Sequence, residues 1–246
     1  MPRPATPEHM DDPAADPVEI EESFHFIRRV NRWLGGTSTL LAVLERCRPD
    51  WPTDRPFRWL DVATGAADIP LAVDRWAQER GLAIECVGLD KMPACLAVGR
   101  QATAGHPRVR VVEGDALAPG LGLAAEVAAG GFDLAHTAMF LHHLTEPEIV
   151  TVLRSMAGLA PRCVVWNDLL RSTWSRAAIR VATVGMRPFL RDDAILSVEK
   201  GFTLDEARVL MEEAGLAVTA MRRRSLLGRF AVSGEASRAR SAAPPA

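Results

Sequence analysis

The sequence predicts an α/β fold in which a mainly parallel, seven-stranded sheet is covered by helices on both faces. From residue 57 onward, short apolar runs alternate with segments of helical periodicity, which is typical of βα repetition. The last two apolar runs have no helix between them, which indicates an antiparallel pair at the sheet edge. Because the chain has 246 residues, of which 48% are hydrophobic and 24% charged, one domain with a sizeable core is expected.

Two helices are expected before the first strand. Asp16 can cap a helix with Pro17 at its first position, and apolar residues then recur at helical spacing until the Gly35–Gly36 pair. Thr37 or Ser38 can cap a second helix. These helices would form a cap on the domain.

The alternating segments that follow give the sheet and its helices in order. Capping boxes at Thr145-x-x-Glu148 and Thr203-x-x-Glu206 mark two helix starts. The predicted strands are Phe57–Val62, Ile84–Leu89, Val109–Val112, Phe132–Thr137, Cys163–Trp166, Ala217–Met221 and Leu226–Val232, and the predicted helices are Asp68–Arg80, Met92–Thr103, Glu146–Leu159 and Leu204–Ala214.

The domain boundaries follow from composition. Both ends are rich in Ala, Pro, Ser and charge, so we expect them not to pack. The predicted organisation is a disordered tail at 1–16, one domain at 17–236 (helical cap 17–48, sheet core 57–168, insertion 169–201, final helix and strand pair 202–236) and a disordered tail at 237–246.

The insertion at 169–201 is longer than a usual connection, and such segments beside a binding edge are often lids. We expect Trp174, Ile179, Met186 and Phe189 to line an apolar pocket. The alternative is an additional packing helix that contacts no ligand.

Charge and cysteine usage exclude several classes of function. A formal net charge of −2, with only Arg222–Arg224 as a basic cluster, does not favour a nucleic-acid substrate. No apolar run approaches the ~20 residues of a membrane span, and we expect a cytoplasmic protein. The four cysteines lack CxxC spacing, so we expect reduced thiols rather than a metal site or disulfides.

The first strand ends in a tight turn of small residues, Asp61–Asp68, that opens a helix. Doubly wound folds bind ligands at this place, so a nucleotide-like cofactor is implied. A dinucleotide would require several glycines for close approach of its pyrophosphate, but the turn keeps only Gly65 and ends in the anionic Asp68. An amino-acid moiety suits the turn better than a phosphate does.

At these residues the chain resembles the class I S-adenosylmethionine (SAM)-dependent methyltransferases, which have a Rossmann-like fold. Within them it is most similar to the ubiquinone/menaquinone C-methyltransferase and small-molecule type, whose turn is D-x-A-x-G-x-G-D. Asp61, Ala63, Gly65 and Asp68 match that pattern. Ala67 stands where the family usually has glycine, which puts close approach of the cofactor there in question.

The resemblance implies further SAM contacts at the next strand ends. Asp90 would accept both ribose hydroxyls and is followed by Lys91 and Met92. Asp115 would take the adenine amino group, and Ala116 would offer its backbone N–H to the ring. We also assign Thr137, at the end of the fourth strand, to the cofactor site.

A histidine pair follows the fourth strand and matches a family element beside the reacting methyl group. Methyl transfer needs an aligned nucleophile and removal of its proton, for which a histidine is suited. His142 and His143 are therefore the catalytic candidates. The alternative is that they cap the next helix or bind the backbone, and this alternative applies more to His143.

Asn167 and Asp168, at the end of the fifth strand, face the same edge and can bind substrate or orient a histidine. We predict no metal, because no carboxylate at the end of the fourth strand completes a set of oxygen ligands. Asn31 and Arg32, on the first helix, are candidates for contacts to cofactor or substrate, since such helices fold over the cofactor in small-molecule methyltransferases.

The predicted function is SAM-dependent methyl transfer to a small molecule, with a phenolic or polyketide-like hydroxyl or an activated ring carbon as acceptor. A possible homodimer is left open. Two alternatives remain: a SAM-binding or interaction module without catalysis, suggested by Ala67, and an NAD-dependent oxidoreductase, which the turn disfavours.

Overall fold

The computed structural model describes residues 3–12, 14, 16–33, 35–224 and 228–237. Its centre is a seven-stranded sheet of order β3-β2-β1-β4-β5-β7-β6. The first five strands pair in parallel, whereas β7 is antiparallel to both β5 and β6. The strands are β1 Phe57–Val62, β2 Ile84–Asp90, β3 Val109–Glu113, β4 Leu134–Ala138, β5 Val164–Leu169, β6 Leu216–Arg224 and β7 Arg229–Ala236. The predicted fold class, with its antiparallel pair at the edge, is confirmed.

The helices follow the predicted alternation. Both predicted capping boxes are formed, each with a threonine oxygen facing the third backbone N–H of its helix and a glutamate returning to the cap. The helices are α1 Pro17–Trp33, α2 Gly36–Cys47, α3 Asp68–Glu79, α4 Pro93–Thr103, α5 Ala124–Ala128, α6 Glu146–Leu159, α7 Thr173–Ala182, α8 Pro188–Lys200 and α9 Leu204–Glu213. Short helix α5 and helices α7 and α8 were not individually predicted.

The core lies on both faces of the sheet because successive side chains of a strand point to opposite faces. In β1, Leu60 and Val62 belong to the larger hydrophobic cluster, with helices α6 and α9. Phe57 and Trp59 belong to the second cluster, with helices α2 and α3. A strand that is apolar on both faces is what a helix-covered parallel sheet requires.

The N-terminal segment at residues 3–12, here called the strap, packs against the domain, contrary to the disorder expected for 1–16. The Arg3 guanidinium donates to the carbonyls of Lys200, His142 and Leu144 and lies 4.1 Å over the Phe202 ring. Glu8 is only 3% exposed. Polar composition misled the prediction, because these charged groups find partners in the fold. Residues 1, 2, 13 and 15 lie outside the described part.

Helix α8 holds the strap along its length. The carboxylate of Asp193 accepts from the backbone N–H groups of His9 (2.7 Å) and Met10 (3.1 Å). The Ser197 hydroxyl donates to Glu8 at 2.7 Å. The strap therefore lies between the insertion and the binding edge of the sheet.

The insertion at 169–201 is a pair of packed helices, α7 and α8, rather than a lid over a pocket. Within the described chain, none of Trp174, Ile179, Met186 and Phe189 lines the large cavity described below, and Trp174 is 56% exposed. The expected apolar lining was wrong because the strap occupies the position between α8 and the cavity.

Among the residues that the structure describes, no helix is long and apolar enough to cross a membrane. The tail predicted at 237–246 lies outside the described residues except for Ser237.

Candidate functional site

A cavity of about 1660 Å³ opens at the carboxyl ends of β1 to β4. This is where the strand order reverses between β1 and β4, the usual ligand crevice of such sheets. The volume exceeds the roughly 300–1,000 Å³ of a typical small-molecule site, so the cavity has room for a cofactor and an acceptor together. Its walls come from the strap, α1, the turn after β1, the starts of α4 and α6 and the histidine pair.

The carboxylate of Asp61 organises the turn after β1. It is 3% exposed, and its two oxygens face His136 Nδ1 at 2.6 Å and the Thr64 hydroxyl at 2.8 Å. Gly88 in the neighbouring strand is required here, since a Cβ on it would lie 2.8 Å from the Thr64 side chain. Asp61 lines the cavity, but both its oxygens already have partners within the protein.

The same turn holds three residues in the left-handed region: Ala63, Gly65 and Ala67, with φ of 57°, 57° and 58°. Ala67, which replaces the glycine usual in the family, is fully buried against Leu96 and Val111 and is not part of the cavity wall. Its methyl group therefore points away from the cavity and leaves the space for a ligand free.

Replacing Ala63 and Ala67 by glycine distinguishes the cost of their left-handed backbone from the contribution of methyl packing. A left-handed alanine costs about 1–2 kcal/mol, whereas glycine loses about 0.5–1 kcal/mol more chain entropy on folding. We expect Ala63→Gly to raise the free energy of unfolding by up to about 1 kcal/mol. Ala67→Gly should change it little, because the buried methyl is lost at about 1 kcal/mol. Urea unfolding of both variants measures this, and an equal gain in both would contradict the packing of Ala67.

Asp68 begins α3 at the cavity wall. Burial raises the pKa of its carboxyl, although the Asn31 side-chain amide, 3.2 Å away, donates a hydrogen bond to it. Asn31 also accepts from the buried Arg229 guanidinium at 2.8 Å, and it lines the cavity. Asn31 therefore joins α1, α3 and β7 at the site. The side chain of Arg32 lies outside what the structure describes.

Asp90 is placed as the sequence predicted, at the end of β2 on the cavity wall. Its carboxylate is 7% exposed and accepts from the backbone N–H groups of Gly65 (2.8 Å) and Met92 (2.9 Å). An ionised carboxylate has about four acceptor positions, so about two remain for a ligand. Asp90 thus fixes both loops of the site and can still hold two hydroxyl groups.

The remaining predicted cofactor residues differ in position. Lys91 and Asp115 line the cavity and face each other, 3.8 Å apart, and the buried Ala116 lies beside them. Thr137 is fully buried, donates to the Val62 carbonyl at 3.1 Å and is not part of the cavity wall. The structure therefore places Lys91, Met92, Asp115 and Ala116 at the cavity. Thr137 lies away from the cavity.

The two histidines differ in what their ring nitrogens face. His142 is 2% exposed, with Nδ1 2.7 Å from Asp168 and Nε2 3.7 Å from Glu8 of the strap. Within the described residues this Nε2 has no hydrogen-bond partner and is fully buried. Both nitrogens of His142 therefore face buried carboxylates.

His143 lies on the cavity wall with its Nδ1 3.0 Å from Asp11 of the strap. Burial alone would lower the pKa of its imidazole, but the hydrogen bond to Asp11 and the charges of Asp11 and Glu8 raise it above the ordinary value. In the described chain, its Nε2 has no hydrogen-bond partner and is not among the fully buried atoms. That nitrogen is available to a ligand.

Asn167 and Asp168 are fully buried behind the cavity wall rather than in it. Asn167 donates to the Gly36 carbonyl at 2.8 Å. Burial would raise the pKa of Asp168, but His142 and the hydrogen bonds from Leu169 N and Trp166 hold it below its ordinary value. The position of Asp168 agrees with the predicted role of orienting a histidine, here His142. Neither Asn167 nor Asp168 lines the cavity, so their positions do not favour contact with a substrate.

Glu8, His142 and His143 form a group whose ligand atoms lie close enough to hold a metal ion. The buried ammonium of Lys200 lies 3.5 Å from the same Glu8 oxygen that faces His142. Because this cation already balances the carboxylate, the cluster has no need of a metal ion for charge balance.

The contribution of the strap to the cavity wall is not predicted by the sequence. Arg3, Glu8, Asp11 and Lys200 meet at the histidine pair, although the first three lie far from it in sequence. The one signal was the acidic run near the N terminus, which polar composition alone assigns to a solvated tail.

Comparison with known proteins agrees with this geometry. Residues 60–160 match the model of a methyltransferase domain. Comparison with curated proteins finds no match.

Three solved structures are similar in fold. A SAM-dependent methyltransferase from Aquifex aeolicus has 16% identity and a TM-score of 0.60, over 90% of this chain and 98% of that one. Magnesium protoporphyrin IX methyltransferase from Synechocystis PCC 6803, with S-adenosylhomocysteine bound, has 11% identity and a TM-score of 0.56, over 82% and 83%. A candidate O-methyltransferase from Nostoc punctiforme PCC 73102 has 15% identity and a TM-score of 0.58, over 82% and 56%. The chain thus spans little more than half of the Nostoc protein.

The matched domain covers β1 to α6, which contains the turn after β1, Asp90, Asp115 and the histidine pair. The sheet order and the acidic strand ends agree with it. Residues 60–160 therefore match a methyltransferase domain, and the chain has the fold of SAM-dependent methyltransferases.

Proposed function

We propose that the protein transfers a methyl group from SAM to a small-molecule acceptor, with a phenolic or polyketide-like hydroxyl, or an activated ring carbon, as the reacting group. The observation that supports this is the single cavity whose wall combines the acidic ends of β1 to β3 with the histidine pair after β4. A cofactor and a proton acceptor would then be adjacent.

The residues present fit SAM. Asp90 would accept the ribose hydroxyls with the lone pairs that Gly65 and Met92 leave free. Asp115 and the backbone of Ala116 would meet the adenine ring. The turn after β1, with Asp68 at its end, would hold the amino-acid part, and the outward position of Ala67 leaves room for it.

Bound SAM supplies a methyl group on a positively charged sulfur, so the chain has little covalent chemistry to perform. Its tasks are to align the acceptor in line with that carbon and to take the acceptor's proton. A histidine on the cavity wall serves the second task. Residues of the strap and α1 form part of the cavity wall together with the strand ends.

The relatives support the acceptor class only by analogy. The Nostoc protein is described as an O-methyltransferase, and the Synechocystis enzyme acts on magnesium protoporphyrin IX. A module without catalysis is suggested by Ala67 only if its methyl group blocks the cofactor. That methyl group packs against Leu96 and Val111 outside the cavity wall, so it gives no support to this alternative. A homodimer, a cytoplasmic location and the exclusion of nucleic acid stay predictions.

Calorimetric titration with S-adenosylhomocysteine is the first test, because it requires no acceptor. We expect a dissociation constant in the micromolar range, roughly −8 kcal/mol. Folded protein that binds nothing would refute the cofactor assignment. A panel of phenols and aliphatic alcohols with labelled SAM then tests the acceptor class. Methylation of aliphatic acceptors alone would refute the phenolic proposal, and binding without any turnover would favour the non-catalytic module.

A further inference from the structure

The strap brings two carboxylates to the histidine pair: Glu8 lies near both rings, and Asp11 is hydrogen-bonded to His143. Glu8 faces His142 from within the protein, where Ser197 and Lys200 also contact it. Asp11 faces His143 at the cavity wall. Both acids come from a segment outside the matched methyltransferase domain.

The environment of His142 does not suit a proton acceptor for a ligand. Its Nε2 is fully buried toward Glu8, and its Nδ1 is bound to Asp168. His142 lines the cavity, whereas neither of its ring nitrogens is both exposed and free. His142 instead joins β5 to the strap.

The environment of His143 suits that task. Its Nδ1 is bound to Asp11, which fixes the ring and, when Nδ1 carries the proton, leaves Nε2 as the acceptor. The other groups that face this ring are Glu8 at 3.9 Å, His142 with ring centres 4.2 Å apart, and Lys200, whose charge opposes that of the imidazolium.

We propose that His143, oriented by Asp11 of the strap, takes the proton of the acceptor, and that Asp11 is its positioning residue. This inference rests on the proposed function. The acceptor O–H bond breaks, its proton binds Nε2 of His143, and the oxygen electron pair forms the new bond to the methyl carbon. The C–S bond pair returns to sulfur, and the imidazolium beside Asp11 later releases its proton to water.

Asp11 also affects the protonation of His143. Burial would raise the pKa of the Asp11 carboxyl, but the hydrogen bond and charge of His143 lower it, so Asp11 is the ionised partner. Because Asp11 raises the pKa of His143, its removal should lower that pKa toward the ordinary value. The acid limb of the pH–rate profile would then move to lower pH.

The chain provides a control for the change of charge in Asp16. This exposed acid precedes α1, accepts from the backbone N–H of Val18 at 2.9 Å and is not among the residues that line the cavity. Asp11→Asn and Asp16→Asn therefore remove the same charge, but only Asp11 lies on the cavity wall, and asparagine at position 16 keeps the helix cap.

The experiment compares the full-length protein with Asp11→Asn, Asp16→Asn, Asp11→Glu and His143→Gln, using a phenol that the wild type methylates. We expect His143→Gln to lower kcat by roughly 10²-fold, and Asp11→Asn to lower it by at least about tenfold with KM nearly unchanged. Asp16→Asn should leave kcat within about twofold, and Asp11→Glu should restore part of the kcat that Asp11→Asn loses.

Histidine NMR titration of the same variants gives a readout without acceptor. The pKa of His143 should fall in Asp11→Asn and not in Asp16→Asn. The inference is overturned if the two asparagine variants have equal kcat, if the pKa of His143 does not move, or if His143→Gln retains wild-type turnover. A wild-type protein that binds no S-adenosylhomocysteine or methylates no acceptor would instead refute the proposed function.

Discussion

Replacing Asp90 by alanine is expected to abolish measurable binding of S-adenosylhomocysteine. Two charge-assisted hydrogen bonds to the ribose would be lost, each worth roughly 1.5–3 kcal/mol. The carboxylate also fixes the N–H groups of Gly65 and Met92, so both loops of the site would lose their common anchor. We expect the dissociation constant to rise by more than about 10²-fold.

Calorimetry measures this change, with circular dichroism to establish that the variant is folded. Asp115→Ala is the matched control, because that carboxylate is 47% exposed and its loss should weaken binding by about tenfold or less. Affinity of Asp90→Ala within a factor of about three of wild type would refute the ribose assignment.

Replacing His142 by alanine is expected to destabilise the fold strongly. The substitution leaves Asp168 and Glu8 as buried carboxylates without the imidazole between them. Breaking such a buried pair from one side costs about 3–5 kcal/mol. His143→Ala should cost about 1 kcal/mol or less, because Asp11 is one-third exposed and can be hydrated.

Urea unfolding of both variants gives the comparison. The double variant His142→Ala/Asp168→Asn should cost less than the sum of its single changes, since the two residues form one interaction. Additive costs, or a His142→Ala protein as stable as wild type, would show that the His142–Asp168 contact contributes little.

The sheet and the position of the acidic strand ends on the cavity wall were predictable from sequence because their signals are local. Strand β1 and helix α6 begin and end where the apolar pattern and the Thr145 capping box placed them. Asp90 and Asp115 were identifiable because each ends an apolar run, and parallel strands align their carboxyl ends at one edge.

The part of the cavity wall near the histidine pair was not predictable in the same way, because it depends on contacts between residues distant in sequence. Asp11 and His143 are separated by 132 positions, and no periodicity links them. The strap resembles a disordered tail in composition, and only its partners on α8 show why it is ordered. The sequence did not show on which face of the sheet Thr137 lies, because successive side chains of a strand point to opposite faces. Its hydroxyl donates to the Val62 carbonyl of the neighbouring strand.

Because of the strap, the wall of one cavity is formed by two separate parts of the chain. The strand ends on the cavity wall belong to the sheet, whereas Asp11 and much of the wall near the histidine pair belong to a segment attached by polar contacts to α8 and the histidine pair. If the protein acts as proposed, substitutions in residues 3–12 should change acceptor preference without disturbing the sheet. That segment is where a designer would diversify the sequence to alter the proposed acceptor preference.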